Sequence, residues 1–287
     1  MSPAEIVSPS AFGLGAFQDA LGRVNHQPVS VHSFTNKRFT VNFRAPIDQV
    51  RKLLPAAIEP DEIGNTGLGM FGMCACDFWV NWLGWFPIPR IRNNDMLFRV
   101  SARIRKGDTT YRAFYTIGSS SSSRLLGGLG RYFSHFRKRI ANFSRVDNDS
   151  EYFLECLDAD PLTPGHLRAK IASLSKTRPK STVFADIQDA TEFVFNLDGS
   201  CGYDFARDKL SFQKIDYPKW DMSFCHNCTF HFPLLDHVVQ SLGIDAEFDS
   251  VLFMQNTQQT WCSTWLYSDA RRSAHIDSEM SQVEKWS

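Results

Sequence analysis

From Gly67 to Trp82 the chain reads Gly-Leu-Gly-Met-Phe-Gly-Met-Cys-Ala-Cys-Asp-Phe-Trp-Val-Asn-Trp. Apolar and aromatic side chains fall at odd and even positions alike, with Met70, Met73, Cys74, Cys76, Phe78 and Trp79 among them. Successive side chains of a strand point to opposite faces, so such a run suits a strand buried on both.

Around this run, shorter segments alternate. Phe39, Val41 and Phe43 share one face of a half-buried strand within Val29 to Arg44, ended by Pro46. Met96 to Arg105 and Thr109 to Ile117 flank a Lys-Gly-Asp turn and read as a hairpin. Further strands are expected from Arg139 to Ser144, partnered by Glu151 to Leu157, and from Phe193 into the Gly-rich turn near Gly199. Lys209 to Lys214, Met222 to Phe232, Val251 to Phe253 and Trp261 to Tyr267 complete the set.

Ile47 to Leu54 predicts a short helix with Ile47, Val50, Leu53 and Leu54 on one side, and Pro233 opens another that Gly243 stops. Leu83 to Arg92, with Trp85, Phe86, Pro87 and Pro89, reads as a loop that walls a pocket or packs rigidly on the surface. Ser119 to Ser123 reads as a polar linker, and Asp158 to Arg178 as strand or loop. Roughly ten strands, few helices and no βαβ rhythm predict a mostly β fold, an antiparallel β-barrel with an internal pocket. The expected division is an N-terminal leader over 1–28 with a short helix at 16–23, a single barrel domain over 29–268, and a polar tail over 269–287.

Charge excludes several functions. Thirty-one basic residues balance thirty-one acidic ones, so no global field draws the chain to nucleic acid or anionic lipid. The first ten residues lack the basic start and apolar core of a signal peptide, and no apolar run reaches the roughly 18 residues that span a bilayer. Seven scattered cysteines are an odd number and fit reduced thiols. A cytoplasmic protein with no membrane and no nucleic-acid partner is the expectation. Cys225-His226-Asn227-Cys228 has zinc-like spacing, but it falls within an expected strand and lacks a second such pair; Cys74 and Cys76 share a face with no histidine beside them. Core packing is the simpler reading of both, and no metal or other cofactor is expected.

The chemistry is concentrated at Gly130-Arg131-Tyr132-Phe133-Ser134-His135-Phe136-Arg137-Lys138-Arg139-Ile140-Ala141. A lysine titrates near ~10.4, so only about one in a thousand is neutral at pH 7.4. Adjacent cations and an apolar pocket both disfavour an ammonium, and a neutral amine is what attack on a ketone requires. Arg137 and Arg139 flank Lys138, and Phe136 and Ile140 lie beyond them. A solvated basic edge or an anion-binding patch is the plainer alternative.

The same letters resemble the acetoacetate decarboxylases, whose segment Gly-Arg-Glu-x-x-Gly-(Phe/Tyr)-Pro-Lys-Lys-(Leu/Ile/Met)-(Ala/Gly) lies on 130–141 without a gap. Gly130, Arg131, Phe136, Lys138, Ile140 and Ala141 match; Arg139 keeps the positive charge of the second lysine. Tyr132, His135 and Arg137 depart from the pattern, which puts the substrate in question more than the lysine. The strand, short helix and Leu-Leu-Pro of 29–55 are also similar to the opening of that family and of the YqjF-like proteins.

The resemblance implies a conical barrel, an imine on Lys138 assisted by Arg139, and no cofactor. By the same resemblance Asp95, with Glu62 as the other candidate, is the proton shuttle, and Arg38 anchors the substrate carboxylate, with Lys37 and Arg44 left open. His135, Phe136, Trp85 and Phe86 are the expected substrate contacts, together with the aromatic surface of Trp79 and Trp82. The expected activity is lyase chemistry on a small-molecule oxo acid, decarboxylation of a β-keto acid or a related aldol or dehydration step, in a homo-oligomer. The rival is a non-catalytic small-molecule-binding barrel of the YqjF-like type.

Overall fold

The computed structural model describes residues 30–83, 86–106, 108–133, 138–158, 164–177, 181–204, 209–216, 218 and 220–267. The expected leader, the polar tail, Trp85, His135, Phe136 and Arg137 lie outside the described residues.

In chain order the strands are β1 (Val31–Pro46), β2 (Glu59–Pro60), β3 (Leu68–Leu83), β4 (Phe86–Lys106), β5 (Thr109–Ser121), β6 (Lys138–Ile140), β7 (Phe143–Asp147) and β8 (Glu151–Cys156). They continue with β9 (His166–Lys170), β10 (Leu174–Ser175), β11 (Gly199–Asp204), β12 (Lys209–Asp216), β13 (Met222–Cys225), β14 (Cys228–His231) and β15 (Glu247–Tyr267). The helices are α1 (Ile47–Val50), α2 (Arg124–Phe133), α3 (Ile187–Phe195) and α4 (Pro233–Ser241).

Pairing closes a ring. β1 bonds β3, β3 bonds β4, β4 bonds β5, β5 bonds β11, β11 bonds β12, β12 bonds β15, and β15 returns to β1. Within the ring only the β5–β11 step is parallel. A separate sheet, in the order β14-β9-β8-β7, packs its Tyr152, Leu154, Leu167 and Ala169 on Phe39, Val41 and their neighbours. This is the mostly β, barrel-like architecture that the alternation predicts. Among the described residues no helix is long and apolar enough to cross a membrane.

The two faces of the ring differ. Phe39, Val41, Phe71, Met73, Ala75, Phe98 and Val100 form the main core. The alternate residues of the same strands carry Arg38, Thr40, Cys74, Cys76 and Asp95, nearly all buried. Farther along that face, Met70, Leu252 and Met254 meet Ala190 and Val194 of α3 and Met222 and Phe224 of β13 in a second cluster.

Gly72 keeps β1 and β3 at bonding distance, because a Cβ there would lie 1.9 Å from the carbonyl oxygen of Val41. Backbone has nowhere to retreat inside a paired strand. Gly72→Ala should therefore cost at least the ~1–3 kcal/mol of an overpacked core, read as a lower denaturant midpoint at unchanged slope. A midpoint equal to that of the parent would show that the pairing yields more easily than this.

Several expected elements are corrected. Ser119, Ser120 and Ser121 are buried residues of β5 and not a linker, the hydroxyls of Ser119 and Ser121 donating to Asp95 and Asn93 of β4. Ser123 instead starts α2, its Oγ accepting from the Leu126 N–H at 3.2 Å. Phe86 to Arg92 belongs to β4 and not to a loop; β5 pairs β4 only from Asp95 onward, so Pro87 and Pro89 sit where β4 lacks that neighbour and needs fewer donors. Phe193-Val194-Phe195 is helical despite its strand-like composition. Asp186 caps that helix, accepting from the Asp189 N–H at 2.9 Å, and Ala190 and Val194, four apart, bury together.

Met222 to Phe232 is two strands of different sheets, β13 on β15 and β14 on β9, broken at His226-Asn227. Cys225 and Cys228 consequently belong to different sheets. The strand after Lys138 is also two pieces: β6 pairs β5 in parallel, whereas Glu151–Cys156 pairs β7. Val251 to Phe253 and Trp261 to Tyr267 are one strand, bent where Asn256 takes a φ of 51°.

Candidate active site

Lys138 opens β6, with Ser119 of β5 as its register partner. Its amine donates to Asp95 Oδ2 in a close ion pair, and the Lys138 and Asp95 side chains are 11% and 2% exposed. The other carboxylate oxygen, Oδ1, accepts from Ser119 Oγ at 3.0 Å. The Lys138 amine also lies 5.3 Å from the centre of the Phe78 ring, a cation–π distance. An amine, a carboxylate in contact with it, and a hydroxyl that orients the carboxylate thus meet in a nearly dry place.

Register extends the site across the sheet. Ser121, Asp95, Cys76, Arg38 and Met254 stand in line on β5, β4, β3, β1 and β15. Strands are ~4.8 Å apart, so Arg38 and Asp95, with one strand between them, start roughly 10 Å apart on one face. Arg38 lies 5.2 Å over the Trp220 ring, its Nη2 is 3.5 Å from Gln259 Oε1, and its buried Nε has no partner. Among the described residues no carboxylate forms an ion pair with it.

The other basic candidates are engaged elsewhere. Lys37 points to the opposite face and pairs with Asp147, and Arg44 pairs with Glu247 toward the far end of β1. Arg139, next to Lys138 on a strand, projects to the other face and lies 3.3 Å from Asp158. Its charge is adjacent to the lysine in sequence while its guanidinium is directed away. Glu62 accepts from the Gly67 N–H at 2.8 Å in an exposed turn, so Asp95 is the candidate acid that meets the lysine. Arg103 and Arg112 are both tied to the fully buried Asp61.

The expected aromatic wall is distributed differently. Trp79 stacks on Phe34 with ring centres 4.4 Å apart and lies under Arg90, on the face away from Phe78. Trp82 and Phe86 are exposed near the β3–β4 turn. Among the described residues Phe78 is the aromatic side chain that meets the amine. It shares its alternation parity with Cys74 and Cys76, but the register of β3 with β4 is what brings that face to the lysine.

Cys74 and Cys76 also belong to this face. A hydrogen bond from Cys76 draws the Cys74 thiol down to about 6, with help from the Arg38 and Arg99 charges and against the effect of burial. Cys76 is pushed up by the same bond and by burial. The bond and the guanidinium charges thus favour loss of the proton from Cys74 over Cys76, a polarity that the core-packing reading did not anticipate.

No protein-family model matches the sequence, and no curated protein sequence matches it. Solved structures do. The chain is similar to an acetoacetate decarboxylase from Legionella pneumophila at 13% identity, with 84% of this chain and 88% of that one covered and a TM-score of 0.53. It is similar to the enduracididine biosynthesis enzyme MppR complexed with pyruvate at 10% identity, with 83% and 91% covered and a TM-score of 0.54. An acetoacetate decarboxylase-like enzyme from Sphingomonas wittichii matches at 11% identity, with 85% and 92% covered and a TM-score of 0.50. The chain has the acetoacetate decarboxylase-like fold.

Proposed function

We propose that this chain is a Schiff-base-forming enzyme that acts on a small oxo acid through Lys138, as a lyase that decarboxylates a β-keto acid or performs a related aldol or dehydration step. The observation that carries the reading is the buried contact of Lys138 with Asp95, whose second oxygen is held by Ser119. A lysine that serves only the fold has no need of a buried, oriented proton acceptor. The fold, shared with enzymes whose names and bound pyruvate concern oxo acids, supports the same class.

The steps follow from the contacts. Asp95 accepts a proton from the ammonium, and the freed amine adds to the ketone carbonyl of the substrate to give a carbinolamine. Asp95 returns the proton to the departing hydroxyl, water leaves, and the iminium remains on Lys138. In a β-keto acid the bond between the α-carbon and the carboxylate then breaks; its electron pair flows into the iminium, releasing carbon dioxide and an enamine. Protonation of the enamine carbon and hydrolysis return the ketone and the free lysine. Arg38 is the proposed anchor for the carboxylate, with His135, Phe136 and Trp85 as further substrate contacts, whereas Phe86 lies too far along β4 from Asp95 to join them. Arg139 is proposed to contribute positive charge from behind the strand. A cytoplasmic location and a homo-oligomeric assembly complete the proposal and rest on the sequence expectations alone.

Incubation with a panel of 2- and 3-oxo acids and borohydride tests the reading. The expected result is a mass increase equal to one reduced imine, located on Lys138. No adduct across the panel, or one on another lysine, would overturn it and favour a barrel that only binds small molecules.

A further inference from the structure

Asn93 precedes Asp95 by two residues on β4, on the same face, and its register partner is Phe78, whose ring lies by the Lys138 amine. Its side chain is buried yet only half used. Oδ1 accepts from Ser121 Oγ at 2.7 Å, from Ser122 Oγ at 3.3 Å and from the Ser123 N–H at 2.9 Å. A backbone N–H can only donate, so the atom facing Ser123 has to be the oxygen, and the orientation of the amide follows. The Nδ2 group is left buried with no partner among the described residues. Buried donors are nearly always satisfied in a working protein.

Near it on this face, Thr40 Oγ1 and Arg38 Nε share that condition among the described residues. Thr40 stands opposite Cys74 on β3, and Arg38 opposite Cys76. Polar groups without partners therefore gather on the face that holds Lys138 and Asp95, where a ligand rich in oxygen would satisfy them.

We infer that Asn93 is a specificity-determining residue whose Nδ2 donates to an oxygen substituent on the carbon chain of the substrate, so that the preferred class is an oxo acid bearing a hydroxyl or second carbonyl oxygen. The inference rests on the proposed imine at Lys138. A strand rises ~3.3 Å per residue, which sets Asn93 roughly 7 Å from Asp95 along β4. The recognised oxygen accordingly belongs a few bonds from the carbon that Lys138 attacks. Sites that donate to a substrate oxygen reject the analogue lacking it, since their own polar group is then stranded.

The test is a competition between 3-oxohexanoate and 5-hydroxy-3-oxohexanoate for borohydride trapping, with the adducts, or those of the ketones released, told apart by one oxygen in mass. The wild-type chain should favour the hydroxylated adduct by about tenfold or more. Asn93→Asp keeps an acceptor for the three serine donors, which protects the fold, and replaces the amide donor. Its preference should fall to about one or below. A ratio makes the readout independent of any general loss that the new charge causes. Equal adducts on Lys138 in the wild-type chain would overturn this inference and leave the imine intact. A wild-type preference that Asn93→Asp does not change would also overturn it, because a buried water then serves Asn93. No adduct on Lys138 from either acid would remove the imine reading, and this inference with it.

Discussion

Lys138→Arg should fold, keep its partner Asp95, and give no borohydride-trapped adduct with any oxo acid. Guanidinium remains protonated in proteins and cannot attack a carbonyl, while its charge still answers the buried carboxylate. Turnover should fall by at least about a thousandfold, as when a covalent nucleophile is removed. Lys138→Met separates the second role of the lysine. It leaves Asp95, 2% exposed, without a counter-charge, and breaking a buried pair in this way costs roughly 3–5 kcal/mol. The methionine variant should thus lose stability as well as the adduct, and the arginine variant the adduct alone. Trapping that persists in Lys138→Arg would place the nucleophile elsewhere and leave the Lys138–Asp95 contact a structural ion pair.

The barrel was legible because its strands obey period-2 alternation over long runs. Phe39, Val41 and Phe43 face one core in β1, and β3 is apolar at both parities because the ring buries both of its faces. Local composition misled where tertiary contacts decided the outcome. Ser119 to Ser121 has the letters of a linker, yet β4 offers the Ser119 and Ser121 hydroxyls Asp95 and Asn93, which makes a polar strand affordable in a buried place. Phe193-Val194-Phe195 has the letters of a strand, and it becomes helix because Asp186 caps the segment and Ala190 and Val194 meet the second core.

The site itself was half visible. Lys138 stood out by its motif and Asp95 by its position before a strand, but their contact depends on β6 joining β5 in parallel, a pairing no local pattern announces. Ser119, Phe78 and Asn93 reach the site through the registers of β3, β4 and β5, and sequence alone contains no register for strands so far apart in the chain.

Asp95→Asn should slow the exchange of ketone α-protons with deuterated water by about 10²- to 10⁴-fold, the usual contribution of a positioned acid or base. This reaction passes through the imine and the enamine without any carbon–carbon bond breaking, so it isolates proton movement from decarboxylation. Asparagine preserves the shape of the side chain and can still accept from Ser119 Oγ, so the orientation of the group survives while its capacity to take a proton is lost. With its oxygen on Ser119 the amide turns its Nδ2 donor toward the amine, which then has no base to relieve it of its proton, and the enamine carbon has no Asp95 carboxyl to return one. If Asp95 were only a counter-ion, substitution would lower stability and weaken binding while exchange in the bound state continued at nearly its former rate. Saturating ketone separates the two cases: a maximal exchange rate within about threefold of wild type would deny Asp95 the proton-transfer role, whereas a loss of two orders of magnitude or more at saturation, with the Lys138 adduct still trappable after long incubation, is the signature of a missing general acid–base.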